Sequence, residues 1–234
     1  MEQVSAQLAV QRYLDQYVEG FQDCSVADIK KRFPPQKANK AAFVMLARRM
    51  LGISQNVIVV PEVNPLVVIK TVRLTGNEKP AESMVFQKID FTEWCGNIVW
   101  HETKTYKFFA NTFLAMFVYQ QYPAGKRVAD EDMIFKGIKV VKIPDYDLDH
   151  GIQDMRNEVR RLVNQDQLEV TETRNSAGQV RRFNNLPGIS FNGICHLRPG
   201  GVNGEDMVDL PNGQRIALQR FWLNSGYIKR LLEE

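Results

Sequence analysis

The segment Val59–Leu74, VVPEVNPLVVIKTVRL, constrains the fold of this chain more than any other. Pro61 and Pro65 lack the amide hydrogen that a helix or a central ladder needs, so regular structure is interrupted at both. The residues after Pro65 are mostly β-branched or apolar, a composition that suits a pleated surface. The pattern predicts strand over Ile58–Val60 and again over Leu66–Leu74. Side chains two apart on a strand share a face. Val68 and Lys70 therefore stand together, with Glu62 a short way upstream.

At 234 residues the chain can bury a sizeable core, as one large domain or two small ones. Its apolar runs are strand-sized, so no membrane span is expected. The first residues show no charged leader before an apolar core, so no signal peptide is expected. Three widely separated cysteines, Cys24, Cys95 and Cys195, are poor material for a disulfide framework and point to a reducing, cytoplasmic protein. The histidines are scattered and no zinc spacing occurs. A net charge of +3 does not by itself indicate nucleic acid. Its distribution says more: seven Lys/Arg against one acid over Asp28–Arg49, eleven acids against six bases over Asp130–Glu172, and eight bases against three acids over Arg174–Arg230. These are either binding faces or ordinary solvated surface.

Apolar periodicity predicts a helix over residues 2–21, with Val4, Leu8, Leu14, Tyr17, Val18 and Phe21 as its stripe. Ser25 is a candidate N-cap for a helix to about Arg32. A third helix runs from about Asn39 to Leu51, with Phe43, Leu46, Ala47 and Met50 apolar and Gly52 closing it. Lys30, Lys31, Arg32, Lys37, Lys40, Arg48 and Arg49 make these helices either a helix-turn-helix that meets phosphates or a helical cap on a sheet. Further strands are expected at Met84–Phe91, Phe113–Tyr119, Met133–Ile143, Leu168–Thr173 and Ile194–Leu197. Asn212-Gly213 signals a hairpin, with Ile216–Trp222 as its return arm. Helices are expected over Leu148–Val163, with Asp145, Asp147 and Asp149 at its positive end, and over Tyr227–Leu232.

The C-terminal third carries the most distinctive text: Cys195-His196-Leu197-Arg198-Pro199, then Leu210-Pro211-x-Gly213, then Phe221-Trp222-Leu223-Asn224-x-x-Tyr227-Ile228. Glu82-Ser83-Met84-x-Phe86, Phe135-Lys136-Gly137-Ile138-Lys139 and the Leu148–Val163 helix precede it in order. Together these resemble the GATC-cutting restriction enzymes of the Sau-IIIA type and, more distantly, the MutH mismatch-repair nicking nuclease. The resemblance runs from about Phe21 to the end. It implies an α/β fold of the restriction-endonuclease-like (MutH-like) class: a mixed β-sheet flanked by helices, two lobes around a DNA cleft, and a single 1–234 domain. Residues 1–56 would form its helical N-terminal part. Residues 57–234 would form the mixed sheet with helices and the C-terminal DNA-reading loops.

In that family an acidic residue starts the core strand and a Glu-x-Lys or Asp-x-Lys follows. The acids hold Mg²⁺ and the lysine orients the attacking water or offsets developing charge. Here Glu62 is the candidate upstream acid, Lys70 is kept, and Val68 stands where a carboxylate would be. A valine cannot ligate a metal. Glu82, Asp90 and Glu93 are the other acids within reach of neighbouring strands. The larger enzymes of the family resemble two MutH-like halves in one polypeptide, and the C-terminal half binds a second DNA site without the catalytic acids. This chain resembles that half. The resemblance therefore implies an allosteric effector domain of a type IIE restriction enzyme, with double-stranded DNA as partner and a catalytic MutH-like domain in the same longer polypeptide. Binding would need no cofactor, and Mg²⁺ would enter only with nuclease activity. The alternatives are an active Mg-dependent endonuclease and a helix-turn-helix module over residues 25–51.

The family's base-reading segment is kept as Arg198-Pro199. The basic or histidine residue that usually follows is Gly200 here. An arginine at a strand end before Pro199 and two glycines can push its fork into the major groove, bidentate to guanine. The other reading is a surface ion pair with Glu205, Asp206 or Asp209. Arg181, Arg182, Arg215, Arg220 and Lys229 are phosphate-contact candidates. His196 is expected to be a hydrogen-bonded structural histidine, and Trp222 and Tyr227 to belong to the core.

Overall fold

The computed structural model describes residues 2–34, 42–61, 63–122, 127–174, 176, 178, 180–201 and 206–234. In chain order the elements begin with helices α1 (Glu2–Val18), α2 (Val26–Arg32) and α3 (Ala42–Met50), then strands β1 (Val57–Ile58), β2 (Leu66–Leu74) and β3 (Met84–Lys88). Helices α4 (Phe91–Cys95) and α5 (Lys104–Ala110) precede strands β4 (Thr112–Gln120) and β5 (Ile134–Val141). Helix α6 (Asp145–Asp147) continues through a π-helical turn at Leu148–Ile152 into α7 (Gln153–Asn164). Strands β6 (Val170–Arg174), β7 (Val180–Asn184), β8 (Cys195–Pro199), β9 (Met207–Asp209), β10 (Arg215–Ala217) and β11 (Gln219–Leu223) lead to α8 (Ser225–Glu233). They divide into two compact units: Met1–Glu82, Phe108–Ile143 and Lys229–Glu234 in the first, Ser83–Lys107 and Pro144–Ile228 in the second.

The first unit is built on a mixed sheet of order β1-β2-β4-β5, flanked by helices. Strands β2 and β4 run parallel from Leu66↔Thr112 to Leu74↔Gln120, and the outer pairs are antiparallel. Every residue of β4 is buried, which is why TFLAMFVYQ reads as one apolar run rather than an alternation. Val67 and Ile69 join Phe113, Ala115, Phe117, Tyr119, Phe135 and Val140 in a core with α1, α2 and α3. Ser25 caps α2 by accepting from the Asp28 amide at 3.1 Å. Gly52 ends α3 at φ +68°, a conformation that favours glycine.

Helix α1 departs from the expected stripe. Val10, Leu14 and Val18 are buried, whereas Val4 and Leu8 are 64% and 51% exposed. The reason is polar. Strand β5 is an edge, and α1 covers it with amides: Gln7 donates to the Val140 carbonyl at 2.9 Å, and Gln11 donates to the Ile138 carbonyl at 2.8 Å. The Gln11 carbonyl accepts from the Val140 amide at 2.7 Å. One side chain thus supplies both halves of a missing ladder step and blocks an open edge. The basic residues of α2 and α3 are also engaged. Lys30 pairs with Glu131, Arg48 donates to Asn56, and Arg49 donates to the Phe33 and Pro34 carbonyls. Helix α3 packs on β2 in the manner of a helical cap. Lys37 and Lys40 lie outside the described residues.

The second unit holds a three-stranded antiparallel sheet of order β3-β11-β8 and two hairpins, β6–β7 and β9–β10. Leu148, Ile152, Met155, Val159 and Leu162 form the buried stripe of the α6–α7 helix, as its spacing predicts. Arg156 of α7 donates to the Ile98 carbonyl at 2.7 Å, and Asn164 to that of Cys95 at 2.9 Å. The expected return arm Ile216–Trp222 is in fact two strands. Residues 215–217 turn back on β9 through the Asn212-Gly213 turn, and β11 then joins β8 and β3. Leu218 makes the switch: its amide donates to Asp206, and its carbonyl accepts from Gly200. Among the described residues, no helix is long and apolar enough to cross a membrane.

Candidate nucleic-acid interface

Strand alternation sorts the β3-β11-β8 sheet into two faces. Cys195, Leu197, Gln219, Phe221, Leu223, Met84 and Phe86 are buried on one. His196, Arg198, Arg220 and Trp222 share the other, in the register Arg220↔Arg198 and Trp222↔His196. Two guanidiniums directly opposite would repel, but they are committed to different partners. Arg220 Nε donates to the Gly200 carbonyl at 2.9 Å and Nη1 to the Phe86 carbonyl at 3.2 Å. Arg198 is exposed and lies over its diagonal neighbour Trp222, 5.4 Å from the ring centroid. Among the described residues it has no ion-pair partner. Asp209 faces Arg215 instead, at 3.5 Å, and Glu205 lies outside the described residues.

Gly200 is required by this packing. A Cβ there would fall 2.6 Å from Arg220 Cγ and 3.1 Å from Arg220 Cβ, so no side chain fits while Arg220 keeps its place. His196 is the expected structural histidine: it is buried, and its Nδ1 meets Asn224 Oδ1 at 2.5 Å. The Asn224 amide donates to the Ile189 carbonyl at 2.9 Å, which leaves its oxygen as the acceptor and gives His196 Nδ1 the proton. Burial pushes the His196 pKa down, the bond to Asn224 pulls it back up, and the nearby Arg198 charge lowers it further. Trp222 is only partly buried, unlike the core residue expected, whereas Tyr227 is buried and donates to Asp147 at 2.9 Å.

The remaining cations are dispersed. Arg181 and Arg182 sit on β7 opposite Thr173 and Glu172, and Arg182 Nε lies 2.5 Å from Glu172. Arg215 is on the β9–β10 hairpin. Lys229 is in the first unit, paired with Glu233. The Arg198–Arg220 juxtaposition is the one the ladder creates, and it depends on a register that spacing alone does not give.

On the first unit's sheet, Val68 stands opposite Leu114, and Lys70 opposite Met116, which in turn faces Lys139. One face therefore presents two lysines around a methionine, and Val68 where a carboxylate would complete an acid-x-lysine pair. Burial pushes the Lys70 ammonium down to about 8. Glu62 lies outside the described residues. The other acids are engaged elsewhere: Glu82 pairs with Arg73, Asp90 caps α4, and Glu93 accepts from the Lys104 amide. Among the described residues, no group of three or more His, Cys, Asp or Glu could hold a metal ion.

A mixed sheet flanked by helices is compatible with a restriction-endonuclease-like fold. The chain is similar to the type II restriction enzyme Sau3AI of Staphylococcus aureus, with 28% identity over 196 residues. The match covers 72% of this chain and 38% of that enzyme, so the chain spans well under half the length of its relative. No known protein-family profile matches the chain. The similarity supports a restriction-enzyme-like relationship.

Proposed function

We propose that this chain binds duplex DNA sequence-specifically, at a GATC-like site, as the effector half of a longer type IIE restriction enzyme. The observation that carries the proposal is Arg198. Its guanidinium is exposed at the end of β8, held against an aromatic ring, and without an ion-pair partner among the described residues. A bidentate arginine–guanine contact contributes about 1–3 kcal/mol of discrimination. Phosphate contacts from Arg181, Arg182, Arg215 and Lys229 would add affinity without sequence preference. Val68 supports binding without cutting, since fewer carboxylates near a phosphate mean less repulsion and no metal clamp. A catalytic domain elsewhere in the same polypeptide, and a cytoplasmic setting, belong to the same proposal.

A second reading is a MutH-like endonuclease with a rearranged acid set. Lys70 favours it, because an amine whose pKa is pushed to about 8 is the kind of group that hydrolytic sites use. Incubating supercoiled plasmid with Mg²⁺ or Mn²⁺ separates the two readings. Nicking that vanishes in Lys70→Ala would establish the enzyme. For the effector reading, gel-shift competition between a GATC duplex and its scrambled counterpart should show a preference that Arg198→Ala erodes. Full site preference in Arg198→Ala would remove the proposed base contact.

A further inference from the structure

Trp222 has a property that burial does not explain. Its indole Nε1 is buried and has no hydrogen-bond partner among the described residues. Leaving a buried donor unmade costs about 1–3 kcal/mol. A phenylalanine or a leucine would fill much of the same space without that cost. What tryptophan alone offers is its ring face, the strongest of the aromatic faces for holding a cation.

Arg198 occupies that opportunity, 5.4 Å from the ring centroid. The ring is itself steadied by His196, whose near-parallel ring lies 6.2 Å away at 18°. His196 is tied to Asn224, and Asn224 to the Ile189 carbonyl. A connected series therefore runs from fixed backbone at Ile189, through Asn224, His196 and Trp222, to an exposed guanidinium. Arg220, the cross-strand neighbour, is spent on carbonyls and does not compete for the ring.

The geometry points to Trp222 as the positioning residue for Arg198: its face holds the guanidinium plane at the strand end before DNA arrives. This rests on the base-reading role proposed for Arg198. A free arginine side chain carries about 2 kcal/mol of rotamer entropy. Restricting it in the unbound protein reduces the cost of ordering the fork on a base and narrows the angles from which it can approach. The effect is on discrimination rather than on general affinity, because phosphate contacts do not pass through Trp222.

The test uses the full chain. Dissociation constants are measured on the preferred duplex, found by selection from random DNA, and on a scrambled duplex. The proteins are the unaltered chain, Arg198→Ala, Trp222→Phe, Trp222→Leu and the Arg198→Ala/Trp222→Leu double variant, each checked by thermal unfolding. Trp222→Leu should lower the preference ratio roughly two- to thirty-fold, the range a lost cation–π contact gives. Affinity for the scrambled duplex should change little. Trp222→Phe should fall between, and Trp222→Leu should have no further effect once Arg198 is gone. Equal weakening on both duplexes, or an unchanged ratio in folded Trp222→Leu and Trp222→Phe beside a lost ratio in Arg198→Ala, would make Trp222 a packing residue and overturn the inference. If Arg198→Ala keeps the ratio, or the unaltered chain shows none, the base-reading role itself fails and the inference goes with it.

Discussion

Arg220 lies along the bare Cα of Gly200, close enough that a Cβ at Gly200 would fall 2.6 Å from Arg220 Cγ. The same arginine donates to the Gly200 carbonyl. This explains a glycine where the resemblance leads one to expect a basic residue or histidine: the space is already filled from the neighbouring strand. Gly200→Ala should destabilise the protein by about 1–3 kcal/mol in urea unfolding, the usual cost of overpacking. In an Arg220→Ala background the same change should cost clearly less, because the colliding stem is gone. Additive losses would mean that the two positions are not coupled.

Arg198 and His196 should be coupled electrostatically. The His196 pKa is pushed down by burial first, against the upward pull of Asn224, with the Arg198 charge as a further downward influence. Arg198→Ala should therefore raise the His196 pKa, read from the imidazole resonances in a pH titration. The folded pKa lies below the unfolded one, so the unfolded chain binds more protons across that window. Stability is lost as pH falls through and below the ordinary histidine range. Arg198→Ala should lose less stability on acidification than the unaltered chain. An unmoved His196 titration would break the link.

Lys70 supplies an opposite test at alkaline pH. Its folded pKa, about 8, is below the ordinary lysine value of 10.5. Between those values the unfolded chain holds the proton and the folded chain does not, so stability from this group rises with pH over that interval. Below about 8 the cost of burying the charge is fully present. The stability difference between the unaltered chain and Lys70→Met should then move in favour of the unaltered chain as pH rises from about 8 toward 10, read by urea unfolding. A difference that does not change with pH over that interval would show that the Lys70 proton is held equally in the folded and unfolded chain.

Gln11 should protect the β5 edge. Gln11→Leu removes a donor to the Ile138 carbonyl and an acceptor for the Val140 amide. The expected cost is about 1–3 kcal/mol, with faster hydrogen exchange at the Val140 amide. Unchanged exchange there would show that the edge is protected by other groups.

The sequence made some of this legible and concealed the rest for identifiable reasons. The Leu66–Leu74 strand, the Ser25 cap, the Gly52 stop and the Leu148–Leu162 stripe were readable because each depends on local composition or period. Helix α1 departs from its apolar stripe because hydrophobicity alone does not show that Gln7 and Gln11 bond a strand more than a hundred residues away in sequence. The break at Leu218 was hidden because Ile216–Trp222 reads as continuous strand while its two halves join different sheets. Around the end of β8, Arg198 and Gly200 were visible in the sequence as parts of the Arg-Pro-Gly segment. The Trp222 contact and the commitment of Arg220 to carbonyls were not, because both follow from the β8–β11 register.

The central claim is that this chain reads a duplex sequence without cutting it. Selection of binding sites from random duplex DNA, run in parallel with EDTA and with Mg²⁺, tests it most directly. Enrichment of one GATC-like site is expected in both arms, with intact DNA recovered from each. Recovery of unselected sequences, or cleavage at the enriched site in the Mg²⁺ arm, would contradict it.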